Sequence, residues 1–181
     1  MKKKQSTSKN GFTLLEILVS VGALAIMGVL LTQVFVTTTR TNIKNEITKD
    51  VKQNGDLAME VMTRMIQNAT DVTSSCQDIG SSGPSLTITN LDSGSTTFEC
   101  RSDSGLLRIA STSASTAYLT SPSVKLTGAD CPAAFTVTCT LLPSGQKSVN
   151  ISFSLSQGGT SPVKIDQANQ KFETTVTLRN Q

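Results

Sequence analysis

Residues Lys9–Val36 read KNGFTLLEILVSVGALAIMGVLLTQVFV, and this stretch decides how the rest of the chain is read. From Phe12 to Val36 it carries one charge, Glu16. Twenty-five residues of helix span about 37 Å, enough to cross a hydrocarbon core of about 30 Å with some tilt. The run is apolar on every helical face, unlike a surface helix of a soluble protein, which is apolar along one stripe. A secretory signal peptide has a shorter apolar region closed by a small-residue cleavage site, and this run shows neither feature. A plain signal anchor fits except for Glu16, because a carboxylate inside a membrane needs a partner.

Upstream, Lys2, Lys3, Lys4 and Lys9 make the first eleven residues basic. They account for the charge of the whole chain: of 16 Lys+Arg, 12 remain beyond the leader against 13 Asp+Glu, so +3 becomes −1. Basic flanking residues stay on the cytoplasmic side, so the remainder of the chain is predicted to be exported. The same arithmetic removes the basic surface expected of a nucleic-acid binder. From Asp71 onward there are seven basic and eight acidic residues and one Tyr, so no specific nucleic-acid binding is indicated.

The string Lys9-Asn10-Gly11-Phe12-Thr13-Leu14-Leu15-Glu16 resembles the class III leader of type IV pilins and type II secretion pseudopilins. The close match covers about residues 9–36. The resemblance implies cleavage between Gly11 and Phe12 by a prepilin peptidase and methylation of the new N-terminus at Phe12. It implies retention of the apolar run, and a role for Glu16 in assembly. In that family the acid is thought to neutralise the N-terminus of a neighbouring subunit. A misregistered subunit would then leave a charge unpaired in an apolar environment, so the pairing sets register. The partners implied are other pilin or pseudopilin subunits, the peptidase and an assembly platform in the membrane. The expected destination is the cytoplasmic membrane, then a filament at the cell surface or in the periplasm. The run Leu57-Ala58-Met59-Glu60-Val61-Met62-Thr63-Arg64 and the closing Val176-Thr177-Leu178-Arg179 look like those of minor pilins. Many pilins carry a proline in the second half of the apolar run; here Gln33 stands near that place.

After Val36 the chain turns polar, and no proline precedes Pro84. Ile43, Ile47, Val51, Ala58, Met62, Met65 or Ile66, and Ala69 recur at spacings of three and four, with a gap near Gly55. One helix from about Phe12 to about Thr70 is therefore predicted, its second half laying that stripe on a globular head. Gly22 and Gly28 read as points of close helix packing in a membrane, or as places where the helix softens in an assembled filament.

From Asp71 the composition shifts to Ser, Thr and Gly with short alternating runs. Strands are predicted at 85–90, 96–101, 105–110, 135–142, 148–155 and 171–179, with a weaker one at 116–127 broken by Pro122. The Asp-Ser-Gly segments at 92–94 and 103–105 read as turns. The fold class predicted is α+β, a long helix packed on an antiparallel sheet with one wet face. The organisation is a cleaved leader at 1–11, a membrane or filament-core helix at 12–36, an amphipathic continuation at 37–70 and a head at 71–181.

Cys76, Cys100, Cys131 and Cys139 all fall in the head, which an exported placement would oxidise. Four cysteines allow three connectivities, of which Cys76–Cys100 with Cys131–Cys139 is favoured. No C-x-x-C pair marks a metal or redox site. The absence of His excludes Ser-His-Asp and Cys-His catalysis and His-bearing zinc sites. No phosphate-binding, dinucleotide-binding or hydrolase motif occurs. A non-enzymatic structural subunit without a cofactor is the expectation. The other readings weighed are a secretion pseudopilin and a head that binds DNA or mediates adhesion.

Overall fold

The computed structural model describes residues 11–73, 82–143, 145–158 and 168–179. The chain divides into two compact units, one ending at Asn42 and one beginning at Ile43. A single helix, α1, runs from Leu14 to Gln67 through the division, 54 residues in all.

In the first unit α1 is exposed on all sides. In the second unit Val51, Gly55, Ala58, Met62 and Ile66 are buried, a stripe at spacings of four and three. The predicted stripe holds at five of its positions, with Ile66 rather than Met65 fully buried and Ala69 closing it. It begins later than predicted: Ile43 is 47% exposed and Ile47 only partly buried.

Among the described residues, ten strands belong to the second unit: β1 Asp71–Val72, β2 Ser82–Gly83, β3 Ser85–Thr89, β4 Ser95–Asp103, β5 Leu106–Thr112, β6 Thr116–Tyr118, β7 Val124–Leu126, β8 Phe135–Leu141, β9 Lys147–Gln157 and β10 Asn169–Thr177. A one-turn helix, α2 Cys131–Ala134, precedes β8. The fold is α+β, with the helix packed on antiparallel sheet, as predicted, but there are two sheets rather than one. The first has the order β1-β3-β4-β5-β6; the second has β10-β9-β8-β2, with β7 also pairing to β9.

The division falls where the weak strand at 116–127 was expected. Pro122 has no N–H to give a ladder, and the backbone beside it is already committed. The Thr120 carbonyl accepts from Arg108 Nε at 3.1 Å and also from Nη2. The Ser121 N–H donates to Asn54 Oδ1 on α1 at 2.8 Å. The predicted strand therefore becomes β6 in one sheet and β7 in the other.

The other strand predictions hold to within a few residues. Period-two alternation in β8 and β9 buries Phe135, Val137 and Cys139 opposite Phe153, Ile151 and Val149. The link between β4 and β5 is Ser104-Gly105, both at positive φ (52° and 82°), the two-residue hairpin turn expected from Asp-Ser-Gly. Three phenylalanines form a row across the second sheet. Phe135 and Phe153 have ring centroids 6.2 Å apart, and Phe153 stacks on Phe172 at 5.3 Å. The row ends against the helix at Gly55, where a Cβ would overlap the Phe172 ring. The gap in the apolar stripe is thus a point of close approach.

The cysteines correct the prediction. Cys100 on β4 bonds Cys131 at the start of α2, with Cα atoms 5.3 Å apart. Neither Cys76–Cys100 nor Cys131–Cys139 therefore forms. Nearness in sequence misled for Cys131 and Cys139, because four residues of strand β8 separate Phe135 from Cys139, roughly 13 Å of rise. Cys139 is buried and is itself disulfide-bonded; Cys76 lies outside the described residues. The Cys100–Cys131 bond joins a strand of the first sheet to the segment that opens β8 of the second. Closing a loop of 31 residues restricts the unfolded chain by about 3–4 kcal/mol on the loop-entropy account.

Candidate functional site

Gly11, Phe12 and Thr13 lie outside the helix in exposed backbone, with Phe12 79% exposed. The Thr13 carbonyl accepts the first helical hydrogen bonds, from the N–H groups of Glu16 (3.1 Å) and Ile17 (3.2 Å). Its hydroxyl Oγ1 also accepts the Glu16 N–H at 3.3 Å. Thr13 is thus the N-cap of α1, and Glu16 stands at the third helical position. Thr13-Leu14-Leu15-Glu16 has the Thr-x-x-Glu spacing of a capping box, a signal legible in the sequence that a reading confined to the leader passes over. An acid in the first turn is also favourable toward the helix dipole. The Glu16 carboxylate is exposed and takes no partner among the described residues. It lies four residues along the chain from Phe12.

Beyond Glu16 the exposed half carries no charge as far as Val36. Every residue from Leu14 to Val36 is exposed, and this helix is long and apolar enough to cross a membrane. Its hydroxyls are satisfied internally. Ser20 Oγ donates to the Glu16 carbonyl at 2.7 Å and Thr32 Oγ1 to the Gly28 carbonyl at 2.9 Å. Such bonds to the preceding turn remove the penalty of a free donor in a medium that offers no acceptor. Ala25, Gly28 and Thr32 leave a shallow groove along one side. Nothing among the described residues lies within 4 Å of a Cβ placed at Gly22 or Gly28, so they supply no packing partner there.

The head presents a different chemistry. Arg108, Lys147 and Lys171 lie 2.5, 2.5 and 2.7 Å from the carboxylates of Asp103, Asp71 and Glu173, and Arg101 lies 3.9 Å from Glu99. Arg108 is buried with its guanidinium 4.1 Å from the Tyr118 ring centroid, so the single Tyr is engaged from one side. Composition gave no sign of this arrangement. Asp92 Oδ1 accepts the Gly94 N–H at 2.9 Å, the ordinary turn chemistry expected of that segment. Among the described residues no group of His, Cys, Asp or Glu is placed to hold a metal ion.

No family model, no curated protein and no solved structure matches this chain. The structure gives a long apolar N-terminal helix, antiparallel sheet and a disulfide, an arrangement compatible with pilin-like architecture.

Proposed function

We propose that the chain is a non-enzymatic structural subunit, anchored in the cytoplasmic membrane by residues 12–36 and assembled through them into a filament. More particularly, it is a minor pilin or pseudopilin of the type IV pilus class. It is processed between Gly11 and Phe12 by a prepilin peptidase, methylated at Phe12, and delivered to the filament by a membrane assembly platform.

One observation carries this reading. An exposed, non-helical Gly11-Phe12 immediately precedes a helix that is apolar on all sides, packs on nothing among the described residues of its own unit and bears one unpartnered carboxylate in its first turn. So much apolar surface must meet lipid or other chains. Cleavage ahead of the run, unlike signal-peptide cleavage behind it, would keep that surface in the product. The new α-amine on Phe12 would supply the positive charge that Glu16 lacks. In a row of subunits each Glu16 would pair with a neighbour's amine, and a register error would leave both charges in an apolar medium.

Intact-mass analysis of membrane-extracted protein from a host with the peptidase tests the reading. The expected product lacks residues 1–11 and is methylated at Phe12. A chain that keeps Met1 to Gly11 in such a host refutes the assignment.

A further inference from the structure

We infer that Thr13 is a positioning residue for processing: by capping α1 it keeps the Gly11–Phe12 peptide outside the helix, in the open form that hydrolysis requires. This rests on the processing reading given above.

In the cleavage step water adds to the Gly11 carbonyl carbon and the bond to the Phe12 nitrogen breaks. A carboxylate is left on Gly11 and an amine on Phe12. A carbonyl held inside a helix is hydrogen-bonded to an N–H one turn ahead and shielded by that turn, so cleavage there must wait for local opening. In this chain α1 starts at Leu14, and Gly11, Phe12 and Thr13 are exposed and non-helical.

The sequence offers an alternative start. Asn10 is also a strong capping residue and stands three positions before Thr13. A helix capped at Asn10 would take in Gly11 and Phe12 as its first two residues, and the Gly11 carbonyl would accept the Leu15 N–H. Three features favour the later start. Thr13 Oγ1 takes the Glu16 N–H, Glu16 places negative charge in the first turn, and Gly11 is a poor helix former. Of these, the Thr13 hydroxyl is the one whose removal leaves Gly11, Phe12 and Glu16 in place.

The experiment uses the full chain in detergent micelles with a prepilin peptidase, following cleavage rate by mass for wild type, Thr13→Val, Thr13→Ser and Thr13→Asn. Valine keeps the branched shape and loses the acceptor, so kcat/KM should fall about fivefold, which corresponds to the ~1 kcal/mol of a lost cap. Serine should stay within about twofold of wild type, as should asparagine, which caps through an amide oxygen and has no hydroxyl. Rescue by asparagine separates capping from direct reading of the hydroxyl by the enzyme. Wild-type rates for Thr13→Val overturn the proposal, as does an asparagine variant as slow as the valine one. Wild-type chain left uncleaved would instead refute the processing reading beneath it.

Discussion

Between Leu14 and Val36, α1 is apolar around its whole circumference and exposed throughout, whereas between Val51 and Ile66 it buries one stripe and keeps charge on the rest. The hydrogen-bonded backbone is the same in both stretches. What differs is where the partner atoms come from. The second stretch finds them in its own chain, in the inner faces of two sheets, and its glycine is filled by a phenylalanine ring. The first finds none among the described residues, and its glycines face open space there. On the proposed reading, a chain that satisfies one half of a helix and leaves the other bare has a packed head and a helix that other subunits would cover. Substitutions in the two halves should therefore fail in different ways: through assembly in the first, through stability in the second.

The largest effect is expected at Glu16. Glu16→Ala removes the one charge of the bare half while leaving the Glu16 N–H to Thr13 Oγ1, so the helix start survives. Cleaved, membrane-inserted protein should accumulate at normal levels, since loss of an intramembrane acid does not oppose insertion. Sheared filaments, and cross-links to partner subunits, should contain little of it. Glu16→Asp tests geometry, because the charge survives on a side chain one methylene shorter. Glu16→Ala subunits that enter filaments as well as wild type would break the comparison, since the bare half would then assemble without its charge.

Next comes one substitution made in both halves. Gly28→Ala adds a methyl into open space and exchanges a poor helix former for the best one, a gain of up to about 1 kcal/mol. Gly55→Ala brings the same propensity gain but drives a methyl into the Phe172 ring, which stacking on Phe153 prevents from yielding freely. Overpacking of this kind costs about 1–3 kcal/mol. Thermal unfolding of the full chain in micelles should show a lower Tm for Gly55→Ala, by a few degrees. Gly28→Ala should show none of that loss. Phe172→Leu should relieve part of the Gly55→Ala defect, giving a coupling of at least about 0.5 kcal/mol in a double-mutant cycle. Equal behaviour of the two alanines would mean that the halves are not packed differently at their glycines.

The Gly55 result also marks what a sequence can disclose. Periodicities of 3.6 and 2 are local, and they located α1 and the strands from β3 onward to within a few residues. The leader motif and Glu16 are likewise local, and so is the Thr-x-x-Glu cap. Gly55 registers in sequence only as a missing apolar residue, because the ring that fills the gap comes from β10. Asn54 reads as a polar residue in a helix until Ser121, 67 residues away, donates to it. Arg108 reads as a solvated charge until the Thr120 carbonyl, Asp103 and Tyr118 close around it. The disulfide pairing failed for the same reason: Cys100 meets Cys131 through the packing of one sheet beside the segment that opens the other. Pairings across the fold depend on chain path, and no short window of residues carries the path.

The smallest effect expected lies where the packed half of α1 hands over to the sheets. Asp71, four residues beyond the end of α1, accepts from Lys147 at 2.5 Å, and so ties β1 of one sheet to β9 of the other. The Lys147 hydrogen bond is the main cause that lowers the Asp71 pKa, partial burial opposes it, and the Val72 N–H and the charge of Lys147 add to the lowering. A carboxyl whose folded pKa lies below its unfolded value of about 4 binds protons more readily when unfolded. Its contribution is therefore fully present above about pH 4 and is lost as the pH falls through the folded value, with Lys147 charged throughout. The side chains are 46% and 27% exposed, so solvent screens the pair and its worth is held under about 1 kcal/mol. Asp71→Asn should lower stability by that small amount at pH 7 and should match wild type near pH 2, as read by parallel denaturation curves. High salt should shrink the difference at pH 7, as for any partly exposed pair. A difference that persists undiminished at pH 2 would assign the loss to packing or to the Val72 hydrogen bond, and the ion pair would then have no part in holding the two sheets together.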